Sequence, residues 1–100
     1  KALFIKSNEG DEVYSVASGK IVFADWLDGY GNMIIIDHGK GYMSLYGNNQ
    51  SLIKQQGDII KGGSTIAIVG NSGGNSTNGL YYQLRKNSKP FNPLKWTKLK

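Results

Sequence analysis

The segment GYGNMIIIDHGKGYMSLYG, residues 29–47, decides the fold. Residues 33–37 form a continuous apolar run of strand length, which predicts a central strand buried on both faces. Glycines flank this run on both sides, and residues 42–46 then alternate between bulky apolar and smaller side chains. The short span between the two runs predicts a β-hairpin.

Working outward, the rest of the chain reads as short strands separated by glycine turns. Residues 13–17 and 20–26 are rich in β-forming side chains, with a hairpin turn predicted at Ser18 and Gly19 between them. Residues 65–69 and 80–85 complete a count of six or seven strands. No stretch shows helical periodicity, so an all-β antiparallel sheet or barrel-like domain is predicted.

Three further stretches have turn or loop composition. The segment GNSGGNSTNG, residues 70–79, predicts a flexible loop or binding rim. Gly-Asp pairs at residues 10–11 and 57–58 each precede apolar residues, which is good turn chemistry and also suggests a repeat. Two prolines are predicted to end the last strand, and two apolar residues are predicted to hold the tail on the body: Pro90, Pro93, Trp96 and Leu99.

Composition bounds the chain to one globular domain, residues 1–100. Its 39% hydrophobic content supports a single core. Twelve basic and seven acidic residues give a net charge of +5, which favours anionic partners. There is no cysteine, and no apolar run approaches the length of a membrane span. Because the first residue is lysine, the chain is expected to be a fragment of a longer protein.

The residues argue against most catalytic chemistry. A catalytic zinc needs three protein ligands, whereas the chain has one histidine, His38, at a predicted strand end where a structural turn role is expected. The serine-rich loop lacks the context of a nucleophile elbow or a phosphate cradle. A carboxylate-pair glycosidase from Glu9, Asp11 or Glu12 stays open but unsupported, and a lipoyl-type carrier lacks a lysine at a matched hairpin tip. Nucleic-acid binding has little support, because few basic residues surround Tyr81.

Four motifs in order along the chain resemble the LytM (lysostaphin-type) peptidase family: EGDEVYSVASGKIVFADW, GYGNMIIIDHGKGYMSLYG, QQGDIIKGGSTIAIVGNSGG and GLYYQLRKNSKPFNPLKW. This resemblance implies a LytM domain of the duplicated-hybrid-motif type, with glycine-rich loops around a groove. Members of the family are zinc endopeptidases that cut cross-links in bacterial cell walls.

The resemblance also shows where this chain departs from the family. The zinc-binding aspartate corresponds to Phe4, and the zinc-binding histidine that precedes it would fall before Lys1. The His-x-His pair of catalytic and zinc-binding histidines corresponds to Gly79 and Tyr81, and the other catalytic histidine corresponds to Asn48. Because a neutral phenol is a poor zinc ligand and Phe and Gly have no ligand atom, no metal, cofactor or catalytic residue is expected.

The same motifs, above all ADWLDGYG and HGKGYMSLYG, are similar to the degenerate LytM domains of EnvC-type murein hydrolase activators. That similarity implies a non-enzymatic protein of the Gram-negative periplasm. It would bind an N-acetylmuramoyl-L-alanine amidase, relieve its autoinhibition and so promote splitting of septal peptidoglycan during cell division. A non-enzymatic peptidoglycan-binding module is the alternative, since positive charge suits anionic wall polymers.

The former active-site groove is the predicted partner-binding surface. Tyr81 and Arg85 are expected to share one face of their strand and to line this groove, with Phe4 beside them. Met33 and Tyr46 are further candidates that fit a core position equally well. Aromatic residues and arginine in a concave surface are typical of interface anchors.

Overall fold

The computed structural model describes residues 2–87 and 89–91, which form a single antiparallel β-sheet. Its nine strands in these residues are β1 (Ala2–Lys6), β2 (Glu12–Tyr14), β3 (Gly19–Leu27), β4 (Gly31–Gly39), β5 (Tyr42–Leu52), β6 (Ile59–Ile60), β7 (Thr65–Val69), β8 (Gly79–Lys86) and β9 (Lys89–Phe91). The predicted all-β class is confirmed. Within the described residues, no helix is long and apolar enough to span a membrane.

The predicted central hairpin is confirmed by the pairing of β4 with β5. Ile35 lies opposite Leu45 and Ile36 opposite Ser44, while β3 flanks the other edge of β4. The turn between the strands has positive φ at three successive residues, 87° at Gly39, 54° at Lys40 and 83° at Gly41. Glycine adopts this left-handed backbone without strain, which explains the two glycines of this turn.

Strand β5 joins the two parts of the sheet because it changes partner along its length. The strands from edge to edge are β1, β8, β5, β4, β3 and β6. The first half of β5 pairs with β8, and its second half pairs with β7, which carries β2 on its other side. Both parts contribute to one buried core cluster: Val13, Ile21, Ile34, Ile36, Tyr46, Ile60, Ile66, Ala67, Val69, Tyr82 and Leu84.

The predicted hairpin at Ser18 and Gly19 is wrong, because β2 and β3 do not pair with each other. Strand β2 pairs with β7, and β3 pairs with β4 and β6. Between them, the backbone N–H and C=O of Ser15 bond to residues 63 and 64. A Cβ atom built on Gly19 would lie 2.5 Å from the carbonyl oxygen of Asp37. The chain therefore runs close beside β4 at Gly19 and does not fold back on itself as a hairpin.

The last strand also differs from the prediction. Pro90 does not end the sheet but lies within β9, opposite Arg85 of β8. An edge strand accommodates proline because its outward side needs no N–H donor. Strands β1, β6 and β9 were not predicted. The predicted contacts of Trp96 and Leu99, and Pro93 itself, lie outside the described residues.

The two Gly-Asp stretches form matching turns, so the repeat is structural. In the first turn, Asp11 accepts a hydrogen bond from the N–H of Asn8, and in the second Asp58 accepts one from Gln55, at 2.9 and 2.8 Å. The first turn bonds to both backbone groups of Val69, and the second bonds to those of Ile21 in the same way. The two turns therefore share the same pattern of hydrogen bonds.

The glycine-rich loop, residues 70–79, is held in place by one buried side chain, Asn48. The amide Nδ2 of Asn48 donates to the carbonyl oxygens of Gly70 and Gly79 at 3.0 and 2.9 Å. Its Oδ1 accepts from the N–H of Gly73 at 2.8 Å and from Asn75. This loop, predicted as a flexible loop or binding rim, is bonded to Asn48 at both of its ends and in its middle.

A second buried network crosses the core face of β4 and β5. Ser44 and Tyr46 share a hydrogen bond of 2.7 Å between their hydroxyls, and the N–H of Val16 donates to the Tyr46 oxygen at 3.1 Å. His38 lies 2.6 Å from the Ser44 hydroxyl and 2.8 Å from the carbonyl oxygen of Ser18. His38 thus connects the 15–18 segment to the sheet, as its predicted structural role requires.

Replacing Asn48 with glycine should release the loop. Glycine keeps the left-handed backbone of this position, whose φ is 69°, and removes only the side-chain bonds. We expect amide hydrogen exchange at residues 70–79 to become faster and the unfolding free energy to fall by about 2 kcal/mol. Asn71→Ala, an exposed change in the same loop, is the control. Equal rates of amide exchange in Asn48→Gly and Asn71→Ala would contradict the role of the Asn48 side chain in holding the loop.

Tyr46 should make stability depend on alkaline pH. Burial raises its pKa from 10.0 to about 12, whereas the unfolded chain ionises near 10. The unfolded chain therefore ionises first, and the free energy of unfolding falls as the pH rises from 10 to 12. We expect the wild type to lose about 2 kcal/mol more than Tyr46→Phe over this range. Chemical unfolding at several pH values measures this, and parallel pH profiles would contradict it.

Candidate functional site

One face of the sheet opposite the core forms an open groove of about 270 Å³. Side chains from β3, β4, β5 and β8 and from the turn before β4 meet there. The residues that line it are Leu27, Tyr30, Met33, Ile35, Met43, Leu45, Tyr81, Gln83 and Arg85. These strand positions alternate with the core residues of the same strands, as the period of two in a β-strand requires.

The floor of the groove is apolar. Ile35 lies opposite Leu45 across the β4–β5 pair, and Met43 lies opposite Arg85 across the β5–β8 pair. Met33 is fully buried beneath the surface, whereas Ile35 and Met43 are half-buried. Methionine side chains adapt to different partner shapes, so this floor can accept an apolar side chain from another molecule.

Two tyrosines stand together at one end of the floor. The rings of Tyr30 and Tyr81 meet edge to face, with centroids 5.0 Å apart. Partial burial, together with the neighbouring Tyr30, raises the pKa of Tyr81, although Arg85 acts in the opposite direction. The Tyr81 phenol is therefore neutral at physiological pH and can donate or accept a hydrogen bond.

The polar side of the groove is a hydrogen-bonded row along β8. Arg85 Nε donates to Gln83 Oε1 at 2.7 Å, and Gln83 Nε2 donates to the Tyr81 hydroxyl at 3.3 Å. The terminal nitrogens of Arg85 have no carboxylate partner among the described residues. Gln83 thus orients the guanidinium of Arg85, and the two terminal nitrogens of that group bond to no carboxylate among the described residues.

The positions that the resemblance aligns with the family's zinc and catalytic residues make packing and hydrogen-bonding contacts in this structure. Phe4 lies opposite Tyr81 across the β1–β8 pair and is 40% exposed. A Cβ atom built on Gly79 would lie 2.7 Å from the Phe4 ring, so this ring fills the space that a side chain at Gly79 would need. Asn48 is buried as the loop clamp.

These residues do not fit a zinc ion. The described residues contain no group of three or more His, Cys, Asp and Glu side chains that could hold a metal. His38 cannot reach the groove, because it bonds to Ser44 on the core face of β5, whereas Met43 and Leu45 on either side of Ser44 line the groove. The donors present in the groove are a phenol, an amide and a guanidinium, and none of these is a usual zinc ligand.

The structure separates the predicted partner-binding residues into two groups. Met33, Tyr81 and Arg85 lie in the groove, and Phe4 lies beside Tyr81 at the margin. Of the two candidates that fitted groove or core equally well, Tyr46 is not in the groove: it is 1% exposed and belongs to the core, because its strand position has the opposite parity to Met43 and Leu45.

Several groove residues were not predicted from the sequence. They are Leu27, Tyr30, Ile35, Met43 and Leu45. Ile35, Met43 and Leu45 could have been found by aligning β4 with β5 and taking the residues that share one face of the sheet. Leu27 needs the register of β3 with β4 as well. Tyr30 could not be found in this way, because its position depends on the turn before β4. In that turn the carbonyl oxygen of Tyr30 accepts a hydrogen bond from the N–H of Asn48 at 2.7 Å.

Comparison with known proteins assigns this chain to a family. The family model described as "Peptidase family M23" matches residues 1–93. Murein hydrolase activator EnvC of Escherichia coli strain K12 is 44% identical over 96 residues, covering 96% of this chain and 23% of EnvC. Murein hydrolase activator NlpD of the same strain is 35% identical over 97 residues, covering 96% of this chain and 25% of NlpD. The chain spans about a quarter of the length of these curated relatives.

Solved structures agree with the sequence comparison. The catalytic domain of the antimicrobial peptidase lysostaphin from Staphylococcus simulans superposes with a TM-score of 0.86 at 29% identity, covering 93% of this chain and 74% of that domain. On the family match over residues 1–93, the chain belongs to peptidase family M23, the LytM type.

Proposed function

We propose that this chain is a non-catalytic activator of a cell-wall hydrolase, and that its partner is a periplasmic N-acetylmuramoyl-L-alanine amidase. Binding in the groove relieves the amidase's autoinhibition and so promotes splitting of septal peptidoglycan during division. The observation that carries the proposal is the groove itself, whose lining combines an apolar floor with Tyr81, the residue that the resemblance aligns with a zinc-binding histidine of the family's peptidases. The names of the relatives, murein hydrolase activators, support it.

The composition of the groove favours a protein partner. Its aromatic, methionine and arginine side chains are those enriched in protein interfaces. The Tyr30–Tyr81 pair is a rigid anchor, since aromatic rings lose little conformational entropy on binding. Arg85 supplies directional hydrogen bonds to an acidic or carbonyl group of the partner.

Activation by binding requires differential affinity. A partner that is held inactive by its own segment opens only if the groove binds the open form more tightly than the closed form. An apolar floor that captures the displaced segment meets this requirement, because the segment's apolar side chains would otherwise be exposed to water. No bond is made or broken by this chain in such a mechanism.

The proposal predicts activation of the amidase without activity of the domain alone. We expect dye release from labelled peptidoglycan when the domain is added to the amidase of the same bacterium, and none from the domain alone with added zinc. Tyr81→Ala and Arg85→Ala should each raise the domain concentration needed for half-activation by more than about tenfold, as interface anchors do. Tyr14→Ala, an exposed tyrosine outside the groove, is the matched control.

Two results would contradict this prediction. Zinc-dependent release by the domain alone would make it a peptidase, and full activation by both groove variants would place the interface elsewhere. Retention on insoluble wall material with no effect on the amidase would favour a peptidoglycan-binding module instead. Thermal unfolding of each variant excludes a folding defect as the cause of any loss.

A further inference from the structure

Charge is distributed unevenly along the chain. Residues 38–100 contain nine basic residues and a single acid, Asp58, whereas residues 1–37 contain three basic residues and six acids. The net charge of +5 therefore comes entirely from the second part of the sequence. The groove does not account for this excess, because Arg85 is the one basic residue of its lining.

Three of these lysines meet at one end of the sheet. The β4–β5 and β8–β9 turns lie side by side there, because the N–H of Asn87 donates to the carbonyl oxygen of Gly41 at 2.8 Å. Lys40 lies in the first turn, and Lys86 lies opposite Lys89 across the second. At standard strand spacings, the Cα atoms of the three lysines lie within about 13 Å of one another. We call Lys40, Lys86 and Lys89 the lysine end.

The positive charges of the lysine end repel one another. Like charges on directly opposite strand residues are unfavourable, and Lys86 and Lys89 form such a pair. The Tyr42 ring offsets part of this cost, since Lys86 Nζ lies 3.8 Å from its centre. Lys40 and Lys89 are exposed, and no ion pair joins them to a carboxylate among the described residues. An anion from outside the chain would relieve the repulsion.

Two carboxylates lie toward the same end of the sheet, and each has a local role. Asp37 lies opposite Lys20 across the β3–β4 pair, and its Oδ1 accepts the N–H of Gly39 at 2.8 Å. Asp58 accepts the N–H of Gln55 at 2.8 Å in the turn before β6. A basic residue thus faces Asp37 on β3, and Asp58 lies in the turn that bonds to β3, on the side of the sheet away from β8.

Acids gather at the opposite end of the sheet. Strand β8 runs from the glycine-rich loop to the lysine end, and its eight residues span about 23 Å. At the loop end, two acids lie in the β1–β2 turn beside residues 77 and 78, and two lie at the end of β3 and in the turn after it: Glu9, Asp11, Asp25 and Asp28. The domain therefore carries a charge dipole directed along its strands.

The shape of the lysine end suits a flat anionic surface. The residues of both turns are exposed, Gly39, Lys40 and Gly41 in one and Asn87 and Lys89 in the other. A single polymer strand is held best in a cleft, whereas lysines on exposed turns reach several headgroups of a bilayer at once. Their long apolar stems also allow the charged groups to follow the headgroup layer. Basic clusters of this kind are attracted to anionic phospholipids.

We propose that the lysine end binds the anionic phospholipid surface of a membrane, with the strands directed away from the bilayer and the acidic end farthest from it. The repulsion between the acids and the lipid phosphates favours this orientation as much as the attraction of the lysines does. The groove lies on one face of the sheet and stays open in this orientation. The membrane contact is independent of the proposed function, because it uses residues outside the groove.

Sedimentation of the domain with lipid vesicles tests the membrane contact. We expect binding to vesicles of equal parts phosphatidylglycerol and phosphatidylcholine, and none to vesicles of phosphatidylcholine alone. Raising the salt from about 0.1 M to about 1 M should release the domain, because the Debye length falls from about 10 Å to about 3 Å. Lys40→Gln, Lys86→Gln and Lys89→Gln should each lower the partition coefficient about fivefold, and the triple variant should bind anionic vesicles no better than neutral ones.

A matched control separates the lysine end from net charge. Lys6→Gln removes the same charge from an exposed residue of β1 at the acidic end, and it should bind anionic vesicles as the wild type does. An equal loss in Lys6→Gln and the lysine-end variants would overturn the proposal, as would equal binding of the wild type to neutral and anionic vesicles or to neither. Thermal unfolding of every variant excludes a folding defect.

Two further measurements separate the membrane from other anionic or protein partners. Isolated peptidoglycan replaces the vesicles in the same sedimentation assay, and retention there through the same three lysines without vesicle binding would assign the lysine end to the wall polymer and overturn the proposal. The triple variant should activate the amidase in solution as the wild type does. Loss of that activation would place the lysine end in the amidase interface and would also overturn the membrane contact, while the proposed function would stand.

Discussion

The register of β5 is the constraint on which the rest of the structure depends. This strand pairs with β4, β8 and β7, and its pairing with β4 and β8 determines which residues of those strands face the core and which face the groove. Ser44 and Tyr46 face the core, and Met43 and Leu45 face the groove. A slip of one residue would expose the Tyr46 hydroxyl network and bury Arg85, which is why the two faces together specify the register strongly.

The groove and the glycine-rich loop are linked by contacts near the four positions that the resemblance aligns with zinc and catalytic residues, Phe4, Asn48, Gly79 and Tyr81. The side chains at two of these four positions stabilise their surroundings: the Phe4 ring covers Gly79, and Asn48 bonds to both ends of the glycine-rich loop. Asn48 also holds the Tyr30 carbonyl through its own N–H, so the clamp and the aromatic pair of the groove are one connected unit. Asn48 therefore links the position of the glycine-rich loop to that of the Tyr30–Tyr81 pair.

Sequence patterns predicted the parts of this structure that depend on local chemistry. The apolar run at residues 33–37, the glycine turn after it and the face shared by Tyr81 and Arg85 follow from strand periodicity and turn preference. The failures depend on long-range pairing. The 15–18 segment bonds to residues 63–64 instead of forming a hairpin, and Tyr46 could be assigned to the core only once the β4–β5 register was known. The loop clamp joins residues far apart in the sequence, and no local pattern indicates it.

The account's central claim is that the partner occupies the groove. The most direct measurement is a methyl NMR titration of the labelled domain with the amidase. We expect the methyl signals of Met33, Ile35, Met43 and Leu45 to shift or broaden, while those of Ile53 and Ile59, exposed at 52% and 77% elsewhere on the surface, stay unchanged. Shifts at Ile53 or Ile59 with unchanged groove methyls would contradict the claim.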